Sequence, residues 1–185
     1  MVRLQRLGAL LVVVLVTGLI LLFRDSLVQY ESYGYLGVFL ATLVSSATIV
    51  LPVPGLAIVY VAGSVWNPIL VGLVAGLGDA LGETTAYLAG YAGQGLVENA
   101  PLYDRFEDWM EHHGFMTIFL LSAIPNPFMD MGGIAAGASG FPGRLFFVAT
   151  LIGKTIKDIA FALAGYYSIS LFTEWLIPGL MSLPH

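Results

Sequence analysis

No charged residue occurs between positions 32 and 78. As one continuous helix that stretch would run about 70 Å, against a bilayer hydrocarbon core of about 30 Å. The run is interrupted at Leu51-Pro52-Val53-Pro54-Gly55, where proline removes backbone donors and restricts the residue before it. The pieces on either side, 36–51 and 56–66, would be about 24 Å and 16 Å long as helices. Each is short for a span, so the pattern predicts a re-entrant hairpin. Non-helical backbone at that depth must line a cavity or pack within protein. Asn67-Pro68 then opens a helix with proline in its first turn, running to about Gly95.

The wet segment is 98–113. Leu102, Phe106, Trp109 and Met110 recur there at helical spacing, with Asp104, Glu107, Asp108 and Glu111 on other faces. This predicts an amphipathic helix in the membrane interface, with a solvated linker helix as the alternative. A short apolar stretch from Gly114 ends at Pro125-Asn126-Pro127, a second apolar piece reaches Phe141, and after Pro142 a long segment continues to about Phe172. At the N-terminus Arg3 and Arg6 precede an uncharged run over 7–23 with no small-x-small cleavage pattern, which predicts a retained first transmembrane helix.

The same order of events therefore occurs twice. Pro52 and Pro54 pair with Pro125 and Pro127 at an offset of 73, and Ala62-Gly63 with Ala136-Gly137 at 74. Gly78 pairs with Gly153, and Gly90-Tyr91 with Gly165-Tyr166, at 75. Each unit is a hairpin with no net crossing plus one full crossing, so successive units enter from opposite faces. The predicted fold is an all-α polytopic membrane protein built as an inverted repeat. Its parts are an N-terminal transmembrane helix and loop (1–31), a first repeat (32–97), the linker helix (98–113), a second repeat (114–173) and a tail (174–185).

Composition agrees. Hydrophobic residues make up 58% and charged residues 10%, far below the quarter that a water-covered domain needs. The absence of cysteine excludes disulfides and thiolate chemistry, and seven basic residues against twelve acidic ones exclude a nucleic-acid partner. With the N-terminus cytoplasmic, Arg3, Arg6, Arg105 and Arg144 lie inside and Arg24 outside, as the positive-inside rule requires.

The few charges inside apolar helices carry the candidate chemistry. The alignment sets Asp79 and Glu83 opposite Lys154 and Asp158, with Lys157 on the same face. Such groups are costly in a membrane and face either a partner or a watered cavity. They either lock the two units as ion pairs or line a transport path. Asp130, three residues past Pro127, either caps the broken helix or serves transport; Asn126 is either a turn residue or a polar wall. His112 and His113 are adjacent rather than at metal-binding spacing, and no hydrolytic motif occurs. No metal, cofactor or enzymatic activity is expected.

Ile124-Pro125-Asn126-Pro127-x-x-Asp130, followed by Gly133-Ile134-Ala135-Ala136-Gly137-Ala138 and Gly153-Lys154, resembles the DedA family, also known as the VTT or SNARE-associated domain, and its YqaA-like branch. Pro54-Gly55 and Gly82-Glu83-x-x-x-Tyr87-x-x-Gly90 add to the resemblance, which covers about 33–172. It implies two opposed re-entrant hairpins and the translocation of membrane lipids as a flippase or scramblase. In bacterial members it also implies proton dependence, with acids around the first hairpin and arginines around the second. Here the nearby positions are Val44, Leu56, Ser122 and Phe128, so Lys154, Lys157 and Asp130 are the candidates to replace those charges. Membrane lipids are the expected partners in the plasma membrane, with a proton or cation and a second copy of the chain as further candidates. The alternatives are a small-solute secondary transporter and a non-transporting scaffold.

Overall fold

The computed structural model describes residues 31–47, 55–93, 103–126 and 128–181. The expected N-terminal helix and Pro52, Pro54 and Pro127 lie outside them. The described residues form six helices and no strand: α1 (Glu31–Ala47), α2 (Gly55–Val65), α3 (Pro68–Ala92), α4 (Tyr103–Ala123), α5 (Met129–Ala138) and α6 (Gly143–Met181).

α3 begins where the sequence indicates. The Asn67 side chain accepts hydrogen bonds from the backbone N–H groups of Ile69 (3.0 Å) and Leu70 (3.2 Å), satisfying two donors that have no partner within the helix. Pro68 occupies the first turn at no hydrogen-bonding cost. Among the described residues, α3 is the helix that is long and apolar enough to cross a membrane by length and composition. α5 ends differently. Phe141 N–H reaches back to Ala136 O, and Gly140 takes φ 69°, a left-handed backbone that suits glycine just past a helix end.

Two expected boundaries move. The linker helix and the first arm of the second hairpin are one helix, α4, because Met110, Gly114, Ile118 and Ser122 are all buried. Burial at every fourth residue keeps one face continuous, and Gly114 presses against the Phe141 ring instead of ending the helix. α6 continues to Met181, beyond the end expected near Phe172.

α3 and α6 run antiparallel at the centre. Gly72 abuts Ile159 and Gly76 abuts Thr155, where any Cβ would strike backbone of α6; small residues let two helix axes approach this closely. Gly78 lies against Phe39 and Thr42 of α1, as Gly153 lies against Phe119 and Ser122 of α4. Gly90 meets Ile134 of α5, and Gly165 meets Tyr60 of α2. Each central helix thus rests on the first arm of its own half and the second arm of the other.

Apolar packing forms two clusters. One gathers Val38, Val59, Val71, Ala75 and Ala162; the other gathers Tyr87, Ile118, Phe141, Phe146 and Ala149. The intramembrane charges sit between them along α3 and α6. Outward, Leu36, Leu40 and Val44 on α1, Leu73, Leu77 and Leu81 on α3, and Ile152 and Ile156 on α6 are all exposed. Apolar rows of this extent would be a liability in water and suit lipid contact.

Candidate functional site

Asp79 falls close to the middle of α3, roughly 16 Å along the axis from Pro68. Glu83 follows one turn later on the same face. The antiparallel register brings Lys154 and Lys157 of α6 opposite them. Lys154 Nζ lies 2.8 Å from Glu83 Oε2 and 3.8 Å from Asp79 Oδ2. Lys157 Nζ donates to Asp79 Oδ2 at 3.0 Å and lies 3.2 Å from Asp158 Oδ1. Asp79 Oδ1 accepts a hydrogen bond from Ser46 Oγ at 2.9 Å, which ties α1 into the network.

The groups are deeply buried: Glu83 is 1% exposed and Asp158 0%. Removing charge from water on this scale is tolerable only when opposite charges and hydrogen bonds meet it. Satisfaction is incomplete, because Glu83 Oε1 and Asp158 Oδ2 have no hydrogen-bond partner and Asp158 Oδ1 meets Lys157 alone. Asp130, in the first turn of α5, places a further carboxyl beside Glu83.

A cavity of about 290 Å³ opens against this network. Asp79, Lys154 and Lys157 form its charged wall, and Ser46 and Asn126 add polar groups. Gly55, where α2 begins, and Pro125, at the second break, also border it. Segments distant in sequence, each next to a proline-marked interruption, therefore reach one polar space. Glu83, Asp158 and Asp130 are not among its lining residues; the first two stand behind the lysines, each close to one of them.

Asn126 holds the second break. Its Nδ2 donates to Leu121 O and Ile124 O, both at 2.7 Å, and its Oδ1 accepts from Phe128 N at 2.9 Å. One side chain thus satisfies backbone groups on both sides of the interruption, the function weighed for Asp130. Ser46 is the site residue that sequence reasoning missed. The available signal was the polar run Ser45-Ser46 just ahead of the first break. Leu56 and Ser122 also line the cavity.

Among the described residues there is no group of His, Asp and Glu arranged to hold a metal ion. Chemically, the site offers two ammonium groups, one carboxylate and several neutral polar groups to a guest entering between the breaks.

Comparison with known proteins identifies the family. Vacuole membrane protein KMS1 of Arabidopsis thaliana is 34% identical over 103 residues, covering 44% of this chain and 25% of the relative. Human vacuole membrane protein 1 is 33% identical over 104 residues, covering 44% and 26% respectively. The matched stretch therefore spans about a quarter of those relatives' own length. No solved structure matches. The profile described as the VTT domain matches residues 53–167, most of the chain and all the site residues on α3 and α6, and the chain belongs to the VTT-domain family.

Proposed function

We propose that the chain moves lipids across the bilayer, as a flippase- or scramblase-like transporter whose headgroup path is the cavity beside Asp79, Lys154 and Lys157. The observation that carries this reading is the convergence of both interrupted segments on one charged space halfway along the central helix. A headgroup crossing a membrane needs polar partners at the depth where lipid offers none, while the tails need an apolar flank. The cavity supplies the first and the exposed rows of α1, α3 and α6 supply the second.

In this reading the two halves are an inverted repeat of re-entrant hairpins. The matched offsets along the sequence and the paired glycine contacts support it. Transporters of that plan place their site where broken elements meet near the midplane. In this reading the N-terminus is cytoplasmic and the membrane is that of the cell surface; the distribution of basic residues supports the orientation. The named relatives are vacuole membrane proteins, and residence in a membrane is the part of that description adopted here. No enzymatic step is assigned.

The test is reconstitution into liposomes carrying a fluorescent phospholipid, followed by quenching from outside. Transport predicts quenching beyond the outer-leaflet fraction. Quenching equal to that of protein-free vesicles, across neutral and anionic lipids, overturns the reading. Solute-driven ion flux without lipid movement would assign the cavity to a small-solute transporter.

A further inference from the structure

We infer that the cavity selects headgroups of zero net charge, carrying one phosphate and one ammonium, over net-anionic ones. This rests on the lipid-transport reading and names its substrate class.

Lysines lining a cavity suggest a receptor for anions, but here they are already neutralised. Lys154 is held by Glu83 at 2.8 Å, and Lys157 by Asp79 at 3.0 Å and Asp158 at 3.2 Å. Three buried carboxylates thus face two ammonium groups, and the half-buried Asp130 lies beside Glu83. Among the described residues, no other cation contacts the network. One bound proton among Asp79, Glu83 and Asp158 would bring those five groups only to neutrality. Two carboxylate oxygens, Glu83 Oε1 and Asp158 Oδ2, already lack hydrogen-bond donors.

A net-anionic guest would deepen this excess in a region of low dielectric, where like charges repel strongly. A zwitterion adds no net charge. Its phosphate can share Lys154 and Lys157 while its ammonium takes up Asp79, so each broken contact is replaced by one of the same kind. α2 and α5 also begin at the cavity edge, where helix starts favour the phosphate end. Selection by charge balance works as much by rejecting the wrong guest as by holding the right one.

The experiment has two readouts on the full chain. In liposomes, tail-labelled phosphatidylethanolamine and phosphatidylcholine should move faster than phosphatidylglycerol by roughly three- to tenfold. Glu83→Gln, which removes one negative charge behind Lys154, should shrink or reverse that ratio. In detergent, dihexanoyl phosphatidylcholine should raise the melting midpoint more than dihexanoyl phosphatidylglycerol, and glycerophosphocholine should act in the same direction as the short-chain lipid. Phosphatidylglycerol moving as fast as the neutral lipids, or stabilising the protein as well, overturns the selectivity while leaving lipid transport standing. Loss of all lipid movement with the binding preference intact overturns transport instead. A shift produced by glycerophosphocholine but not by the lipid overturns the lipid as guest and assigns a soluble zwitterion.

Discussion

Lys154 Nζ and Glu83 Oε2 meet at 2.8 Å between the two central helices, where both side chains are buried. Removing one partner leaves the other charge buried. Lys154→Met is expected to destabilise the protein by about 3–5 kcal/mol. Combining it with Glu83→Gln should recover most of that loss, because the uncompensated charge goes with its partner. Thermal unfolding of the single and double variants in detergent measures the difference, and additive losses would show that the pair is not coupled.

The central crossing depends on having no side chain at Gly76. A methyl group there would come within 2.6 Å of Thr155 Cα, so Gly76→Ala should cost about 1–3 kcal/mol through forced separation of α3 and α6. Gly37 supplies the control, since a Cβ there meets nothing within 4 Å. Gly37→Ala should leave stability unchanged or raise it by up to about 1 kcal/mol through helix propensity. Melting midpoints of the two variants should move in opposite directions or differ clearly in size.

Tyr87 Oη donates to Phe141 O at 2.7 Å and fastens α3 to the turn between α5 and α6. Tyr87→Phe keeps the ring stacked on Phe146, at a centroid distance of 4.8 Å, but leaves a buried carbonyl without its donor. The expected cost is about 1–3 kcal/mol. Hydrogen exchange should rise first in 136–146, and uniform exchange across the chain would contradict the local role.

At the second break, Asn126→Ala removes all three backbone contacts, whereas Asn126→Asp keeps an acceptor for Phe128 N and loses both donors. The unfolding cost of the alanine variant should be about 1 kcal/mol, since the site is partly open to solvent. Lipid transport should fall proportionally more than stability in both variants, with aspartate the milder. Transport that survives in Asn126→Ala would separate the break from the path.

Much of this arrangement is written in local sequence. Asn67-Pro68 signals the start of α3, and the charges on α3 and α6 stand out against apolar neighbours. The offset of 75 brings Asp79 together with Lys154 on paper, yet they are 3.8 Å apart while Lys157 approaches Asp79 to 3.0 Å. The repeat relates residues by symmetry, but antiparallel packing decides who touches whom. Ser46 was hidden for a similar reason: a serine near a helix end has many local uses, and only the approach of α1 to Gly78 and Gly82 delivers it to Asp79. The continuity of α4 through Gly114 was equally unreadable, because glycine marks both a helix end and a close contact.

The exchange of second arms has a consequence for how the chain is made. α2 leaves the ribosome early, but Gly63 finds its contact at Ala162 and Tyr60 at Gly165, about a hundred residues later. Until then Gly63 of α2 and Gly72 and Gly76 of α3 lack the α6 backbone they pack against, and the carboxylates of Asp79 and Glu83 lack the ammonium groups that neutralise them. The first half therefore waits in the membrane as an acidic, incompletely covered intermediate, and arrival of α6 closes the packing and balances most of the charge in one event.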